Sequence, residues 1–310
     1  MKKSEYFWVI ILLTAFLSAC DLVYGQDRFP TDAGIFLATD YGAIPDDGVD
    51  DTVALQKAIT AAIEGSNRYG SPGIVYLPAG DYTVSDKIES RVSKEGWSAG
   101  WRAGMILIGD GPDRTILRLA DNAPGYDDAD SPKWVLATGS ESGTRKQKDA
   151  SSGGGNEAFH HHIEGLTIDV GKGNPGAVAI DYVANNRGSI VDVQLRAGKD
   201  SGYCGLSLER WWPGPCLIRN LTIDGFDYAV RAHHYQYGVT FQNLKLSGQR
   251  KAGIKNSHNM LAIEGLRSEN KVPVYESTSS HGLLVLLNGE LTGGGNNQTA
   301  ISGKNRLYLR

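Results

Sequence analysis

The chain repeats one phrase. Ile163-Glu164-Gly165-Leu166-Thr167-Ile168-Asp169 returns as Ile218-Arg219-Asn220-Leu221-Thr222-Ile223-Asp224, with weaker copies at Ile190–Leu195, Thr240–Leu246 and Ile263–Leu266. Counted from the central apolar residue, Leu166, Val193, Leu221, Leu244 and Leu266 follow one another at 27, 28, 23 and 22 residues. A short alternating strand at such a period predicts a solenoid with one strand set per turn. A second phase lies between the copies: Gly205-Leu206-Ser207-Leu208, Ala229-Val230-Arg231, Gly253-Ile254-Lys255 and Gly282-Leu283-Leu284. Each turn therefore carries at least two strands, with Gly and Asn at the corners. That pattern predicts an all-β parallel β-helix, with coils stacked about 4.8 Å apart and apolar side chains in inward ladders. A sandwich would give turn signals every ~8–12 residues but no same-phase similarity at this longer period.

Residues 1–20 read as an export signal rather than as part of the fold. Lys2 and Lys3 precede an apolar run, Tyr6 to Leu17, too short for a stable membrane span. The run ends Leu17-Ser18-Ala19-Cys20, which resembles the bacterial lipobox, in which the cysteine becomes the lipidated first residue. The expectation is an exported lipoprotein, periplasmic or at the cell surface, that meets the membrane only through its anchor. Residues 21–36 read as a linker and 37–310 as the β-helix domain. The chain stops mid-strand at Leu307-Tyr308-Leu309-Arg310, and solenoids need caps, so the expectation is a domain incomplete at its C-terminal end.

A net charge of −4 gives no general affinity for nucleic acid. The 39 glycines, well above the usual share of about 7 %, suit many tight corners. With Cys20 lipidated, Cys204 and Cys216 remain, 12 residues apart, and two readings stay open: a disulfide across the intervening loop, or two free thiols. Neither cysteine has zinc-ligand spacing.

Near the start, Leu55, Ala58, Ile59, Ala62 and Ile63 share one face of an amphipathic helix, with Asp50 or Asp51 as N-cap and Gly65 just past its end. Such a helix suits the open end of a β-helix. Asp46, Asp47, Asp50 and Asp51 lack calcium-loop order and read as caps and turns. Strand–corner–strand pairs follow at Gly73–Val84 and Met105–Leu119. Three segments then stand together: Asp40-Tyr41-Gly42-Ala43 with Asp46-Asp47-Gly48 and Asp50-Asp51-Thr52; Gly73-Ile74-Val75-Tyr76-Leu77-Pro78-Ala79-Gly80-Asp81-Tyr82; and Ile108-Gly109-Asp110-Gly111-Pro112 with Thr115-Ile116-Leu117. Together they resemble the N-terminal module of the pectate lyase superfamily, the rhamnogalacturonase/epimerase-like module also found in exo-β-1,3-glucanases and phage tailspikes. The resemblance covers residues 37–120 closely and the coils to about 291 in style. It implies a right-handed parallel β-helix that acts on or binds polysaccharide. It does not name the chemistry, because the module opens hydrolases, lyases and epimerases alike. Residues 121–158 read as a long polar loop leaving the solenoid.

Several clusters are candidates for a site. Asp181, Ser207, Arg231 and Lys255 recur at intervals of 26, 24 and 24 residues and are expected to stack on one outward face. Arg231 and Lys255 can bind uronate carboxylates, and a desolvated basic group can take an α-proton in β-elimination. Arg210, Trp211 and Trp212, with His233, His234 and Tyr235 on the next coil, are candidate sugar-binding residues, since pyranose faces pack on indole. A glycosidase needs two carboxyls, and the candidates are Asp192, Asp224 and Asp227. An aspartate at a repeat position is also a common corner residue. Pectin-hydrolase signatures are absent from these coils. His160, His161 and His162 read as a strand start with exposed imidazoles rather than as metal ligands. No cofactor or metal site is read from the residues; Ca²⁺ enters only on the lyase reading. The expectation is a polysaccharide-processing hydrolase or lyase. The alternatives are a non-catalytic glycan-binding lipoprotein and a scaffold fragment of a longer enzyme.

Overall fold

A computed structural model describes residues 29, 32–65, 71–93, 100–141, 153–234, 236–295 and 299–310. Residues 1–20, Cys20 among them, and Tyr235 lie outside the described residues. The chain divides into two compact units at Ile35/Phe36. Of the first unit, only Phe29 and residues 32–35 are described.

The second unit is a right-handed parallel β-helix. Its larger sheet carries Ile106–Gly109, His162–Asp169, Ser189–Arg196, Cys216–Asp224, Val239–Ser247, Met260–Glu269 and Leu283–Leu287 as successive hydrogen-bonded neighbours. Its smaller sheet carries Lys133–Ala137, Ala177–Asp181, Cys204–Leu208, Tyr228–Ala232, Ala252–Asn256 and Tyr275–Ser277. The chain alternates between the sheets, so each coil contributes one strand to each. Parallel pairing in constant register turns the sequence repeat into ladders. Leu107, Ile163, Ile190, Ile218, Phe241, Ile263 and Leu286 form one apolar stack. Leu136, Ile180, Leu206, Val230, Ile254 and Tyr275 form the facing stack from the smaller sheet.

Phe241 is fully buried at the middle of its stack. Each coil of a solenoid relies on its neighbours for burial. Phe241→Ala is therefore expected to destabilise the β-helix by about 3–5 kcal/mol, the usual cost of truncating a core phenylalanine. Denaturant unfolding checks this; a loss below about 1 kcal/mol would contradict it.

The long strands of the larger sheet each bend once, at a residue in the left-handed region. These are Gly165, Asp192, Asn220, Asn243 and Gly265, with φ of 66°, 54°, 53°, 57° and 73°. Glycine accepts that conformation freely, and Asn and Asp accept it more readily than other residues. The bend splits each strand into two arms around a re-entrant corner on the outer surface.

Helix α1 (Thr52–Glu64) packs against Ile74–Leu77 and Ile88–Glu89, burying Leu55, Ala58, Ile59, Ala62 and Ile63. Of the two cap candidates, Asp50 is the one whose carboxylate accepts from the Thr52 N–H, at 3.0 Å, while Asp51 accepts from Ile44 N–H at 2.9 Å.

Three expectations are corrected and one open choice is decided. Gly282–Leu284 belongs to the larger sheet, because Leu283 registers with Met260, and the smaller sheet uses Tyr275–Ser277 at that coil. The segment 121–158 is not all loop: Lys133–Ala137 pairs with Ala177–Asp181 and with Ile88–Glu89, a five-residue strand hidden between polar flanks. Of the two open readings of Cys204 and Cys216, the free thiols hold. Cys204 begins a strand of the smaller sheet and Cys216 one of the larger, both thiols are free, and burial pushes the Cys216 thiol up to about 12. Finally, His161 is fully buried rather than exposed. Met105 N–H donates to its Nδ1 at 3.2 Å, which leaves Nε2–H to donate to Gly139 O at 3.0 Å.

Candidate functional site

The outer face of the smaller sheet gathers the basic candidates. Asp181, Ser207, Arg231, Lys255 and Glu276 are consecutive register partners, so the expected line exists as one row across the coils. Its members differ in what holds them. Asp181 is buried, and Arg210 Nε lies 2.9 Å from its carboxylate. Burial pushes the Asp181 carboxyl up against the opposing pull of Arg210. Arg231 is gripped by Glu209 through two hydrogen bonds, both 2.8 Å, and lies over the rings of Tyr203 and Tyr228 at 5.2 and 4.9 Å. Although burial opposes it, the Glu209 carboxylate raises the Arg231 pKa further. Arg231 therefore stays charged and cannot serve as a base.

Lys255 is different. Its Nζ lies 5.3 Å from the centroid of the Tyr228 ring, and it makes no ion pair among the described residues. Lys251 also reaches the Tyr228 ring, at 5.8 Å, but Asp227 holds it at 2.7 Å. Lys255 is thus a half-buried amine beside the Tyr228 ring, with Arg231 and Glu276 as its register neighbours and no ion pair to either side among the described residues. An anionic ligand on this row meets a fixed positive charge at Arg231 and an uncommitted amine about one coil away, ~4.8 Å.

The aromatic loop sits at the edge of the same sheet. Trp211 and Trp212 do not make one flat platform, for their planes stand at 88°. Trp212 is buried and donates from Nε1 to Gln236 Oε1 at 2.7 Å. Trp211 is 38 % exposed and leans on the buried His234 ring at 4.9 Å. The loop is fixed from beneath: Gly155 N–H donates to Trp211 O at 2.8 Å, so close that a Cβ on Gly155 would meet Trp212 O at 1.7 Å. Of the candidate sugar platform, Trp211 alone offers an open indole face. Arg210 is tied into the fold by Asp181, with its guanidinium 5.0 Å from the Trp101 ring, and does not reach solvent as a sugar ligand would.

Asp192 and Asp224 do not converge, and Asp227 is committed to ion pairs. Asp192 sits at a corner bend and accepts from Asn220 Nδ2 at 2.6 Å. Asp224 ends its strand, four residues beyond the corner residue Asn220, and accepts from Ser247 Oγ at 2.7 Å. Four residues of strand plus one coil step separate it from Asp192 by ~14 Å, beyond the ~5–9.5 Å that glycosidases use. Asp227 is tied to Arg250 and Lys251 at 2.8 and 2.7 Å. Among the described residues, no three His, Cys, Asp or Glu side chains are grouped to hold a metal ion.

Two features escaped the sequence reading. His233, His258 and His281 line up along the axis, with ring centroids 5.1 and 5.4 Å apart. Their intervals of 25 and 23 residues match the coil period and could have revealed them. The second feature is a groove of about 920 Å³ along the re-entrant corner.

Residues 35–272 match the family model described as rhamnogalacturonase A/epimerase, pectate lyase-like. Mannuronan C5-epimerase AlgE3 of Azotobacter vinelandii is 37 % identical over 92 residues, which is 30 % of this chain and 4 % of that protein. AlgE1 of the same organism is 38 % identical over 89 residues, 29 % of this chain and 6 % of that protein. The chain therefore spans a small part of the length of these curated relatives. Among solved structures, the N-terminal fragment of bacteriophage Phi29 gene product 12 superposes with a TM-score of 0.57 at 16 % identity, covering 88 % of this chain and 43 % of that one. Carrot pectin methylesterase gives a TM-score of 0.50 at 11 % identity, covering 80 % and 78 %. At such identities the two structures speak to the fold alone. With more than half of its length matched, the chain belongs to the rhamnogalacturonase A/epimerase, pectate lyase-like family.

Proposed function

We propose that the protein modifies a carboxylated polysaccharide laid across the outer face of the smaller sheet, by removing the proton next to a uronate carboxylate. One observation carries this reading: Lys255 makes no ion pair among the described residues, with its register partner Glu276 included, and is the register neighbour of Arg231, which Glu209 keeps charged. The kinship with mannuronan C5-epimerases, whose named substrate is a polyuronate, supports it. The ~14 Å between Asp192 and Asp224, with Asp227 held by Arg250 and Lys251, favours proton abstraction over paired-carboxylate hydrolysis.

In this mechanism Arg231 binds the uronate carboxylate and orients the ring. The C5–H bond breaks, the proton passes to the Lys255 amine, and the electron pair spreads into the carboxylate, where the guanidinium stabilises it. If that electron pair then forms a C4=C5 double bond while the C4–O bond breaks, the O4 substituent leaves with the C4–O bonding pair and takes a proton from water, and an unsaturated end results. If a proton instead returns from the opposite ring face, C5 is inverted. Trp211, at the sheet edge, offers a stacking surface for a neighbouring sugar.

A substrate panel tests the reading. Polygalacturonate, polymannuronate and a neutral β-1,3-glucan are incubated with the protein, and unsaturated uronide absorbance, reducing ends and proton NMR are followed. The expected result is change in a carboxylated chain only, as unsaturation or C5 inversion. Reducing ends without unsaturation, or binding without any change, would contradict it. The latter would favour the glycan-binding alternative.

We also place the protein outside the cytoplasm on a lipid anchor at Cys20, a proposal that rests on the Leu17-Ser18-Ala19-Cys20 signal. Cys20→Ser is expected to move the protein from the membrane fraction to the soluble one and to remove the acyl-glycerol mass from its N-terminal peptide. Unchanged fractionation would rule the anchor out.

A further inference from the structure

The corner groove faces away from the smaller sheet. It runs from Asp110 to Glu290 across the bends of the larger sheet. Six coil steps of about 4.8 Å make it roughly 29 Å long, enough for several sugar residues in line. Two things distinguish it from an ordinary crease between strands.

The first is its floor. Asn243 Nδ2 donates to Asn220 Oδ1 at 2.9 Å, and Asn220 Nδ2 donates to Asp192 Oδ1 at 2.6 Å. The amides are thereby locked in one orientation. Each amide still has a second N–H and each carbonyl a second lone pair, and both asparagines are exposed, so a hydroxyl-bearing ligand can use them. The row then breaks at Gly265, where a Cβ would lie 3.0 Å from Asn243 Oδ1. The glycine leaves that acceptor open to the groove.

The second is its wall. Thr222, Lys245 and Arg267 are consecutive register partners on the arm beside the floor, one per coil. Lys245 makes no ion pair among the described residues. Arg267 meets Glu290 at 3.5 Å, with both side chains largely exposed, a pairing that a ligand carboxylate displaces at little cost. The other end of the groove carries Glu164 and Asp192. The groove therefore carries its two cations, Lys245 and Arg267, toward one end beside Glu290, and the carboxylates Asp110, Glu164 and Asp192 toward the other.

We infer that this corner groove is a second polysaccharide-binding site, which holds a carboxylated chain parallel to the coil axis, remote from the row containing Lys255. The chain's carboxylates meet Lys245 and Arg267, and its hydroxyls meet the Asn220–Asn243 floor. The site grips long polymer while the other face works on it. The identity of the ligand rests on the carboxylated-polysaccharide reading above; the location does not.

Calorimetric titration with polygalacturonate fragments of about ten sugars, and with dextran of equal length, tests this. The protein used is the full chain carrying Lys255→Ala, which removes the proposed proton acceptor and leaves the groove intact. Binding of the uronate chain is expected to persist in Lys255→Ala. Adding Lys245→Ala and Arg267→Ala is expected to weaken it at least about tenfold, the effect of losing two charge-assisted contacts. Both side chains are exposed, so thermal unfolding should stay unchanged. Affinity unmoved by the Lys245/Arg267 pair would overturn the site. Inorganic polyphosphate bound as tightly as polygalacturonate would also overturn it, since the amide floor would then contribute nothing. If Arg231→Ala, which removes the carboxylate anchor of the other face, abolished binding on its own, the groove would be discarded while the catalytic reading stood.

Discussion

Replacing Lys255 by alanine is expected to lower turnover of a carboxylated polysaccharide by about 100-fold or more, with little change in KM. A positioned general base contributes about 10²–10⁴ in rate, and no other uncommitted amine adjoins Arg231 along this row. Lys255 is half-buried, carries no ion pair among the described residues and reaches only the Tyr228 ring, so stability should move by less than about 0.5 kcal/mol. Lys255→Arg separates the roles. It keeps the charge but cannot give up its proton, so it should be as inactive as the alanine variant. Recovery of activity in Lys255→Arg would assign the residue to carboxylate binding instead. Arg231→Ala should act mainly on KM, because its guanidinium anchors the carboxylate in this account.

His161 gives the second large effect, on stability. Its imidazole is fully buried between the Met105 N–H and the Gly139 carbonyl, and desolvation holds its pKa down at about 3. An unfolded histidine titrates near 6.5. As pH falls, the unfolded chain takes up this proton first, so the contribution of His161 is complete above about pH 6.5 and is lost progressively toward pH 3. The shift corresponds to a loss on the order of 5 kcal/mol across that window, about 2 kcal/mol of it between pH 6.5 and 5, before most carboxylates titrate. His160 and His162 also have pKa values lowered by burial and add to the loss in the same direction as pH falls below about 6.5. Urea unfolding at pH 6.5 and 5 should therefore show a falling midpoint in the native protein. His161→Gln should be less stable at neutral pH, yet its midpoint should fall less over that interval. An equal fall in both proteins would mean that His161 is not the group responsible.

Much of the fold was legible because a parallel solenoid writes its register into the sequence. Leu166, Val193, Leu221, Leu244 and Leu266 were in phase before any coordinates, and they pair as that phase requires. The row Asp181–Ser207–Arg231–Lys255 was equally readable, since one register constraint fixes all four. What the sequence hid was partnership across loops. Nothing in the spacing tells that Arg210 turns inward to Asp181 or that Glu209 seizes Arg231, because both contacts depend on the path of the loop after Leu208. Trp211 and Trp212 are adjacent in sequence, but the left-handed conformation of Trp212, φ 60°, sends their rings in perpendicular directions. His161 was misjudged for a similar reason. Three successive histidines look like a polar strand start, yet the His161 ring finds a backbone donor and acceptor 56 and 22 residues away. The corner groove was half visible. Asn and Gly were expected at corners, but that those corners fall in register and form a hydrogen-bonded floor follows only from the bend.

The central claim is that this protein removes the proton beside a uronate carboxylate, and isotope exchange tests it most directly. Polymannuronate and polygalacturonate are incubated with the protein in D₂O, and deuterium at C5 is followed by NMR together with unsaturated ends. The account predicts protein-dependent deuterium at C5 or an unsaturated product in at least one carboxylated polymer, abolished in Lys255→Ala. Retention of every C5 proton while the protein cleaves or merely binds the chain would contradict it.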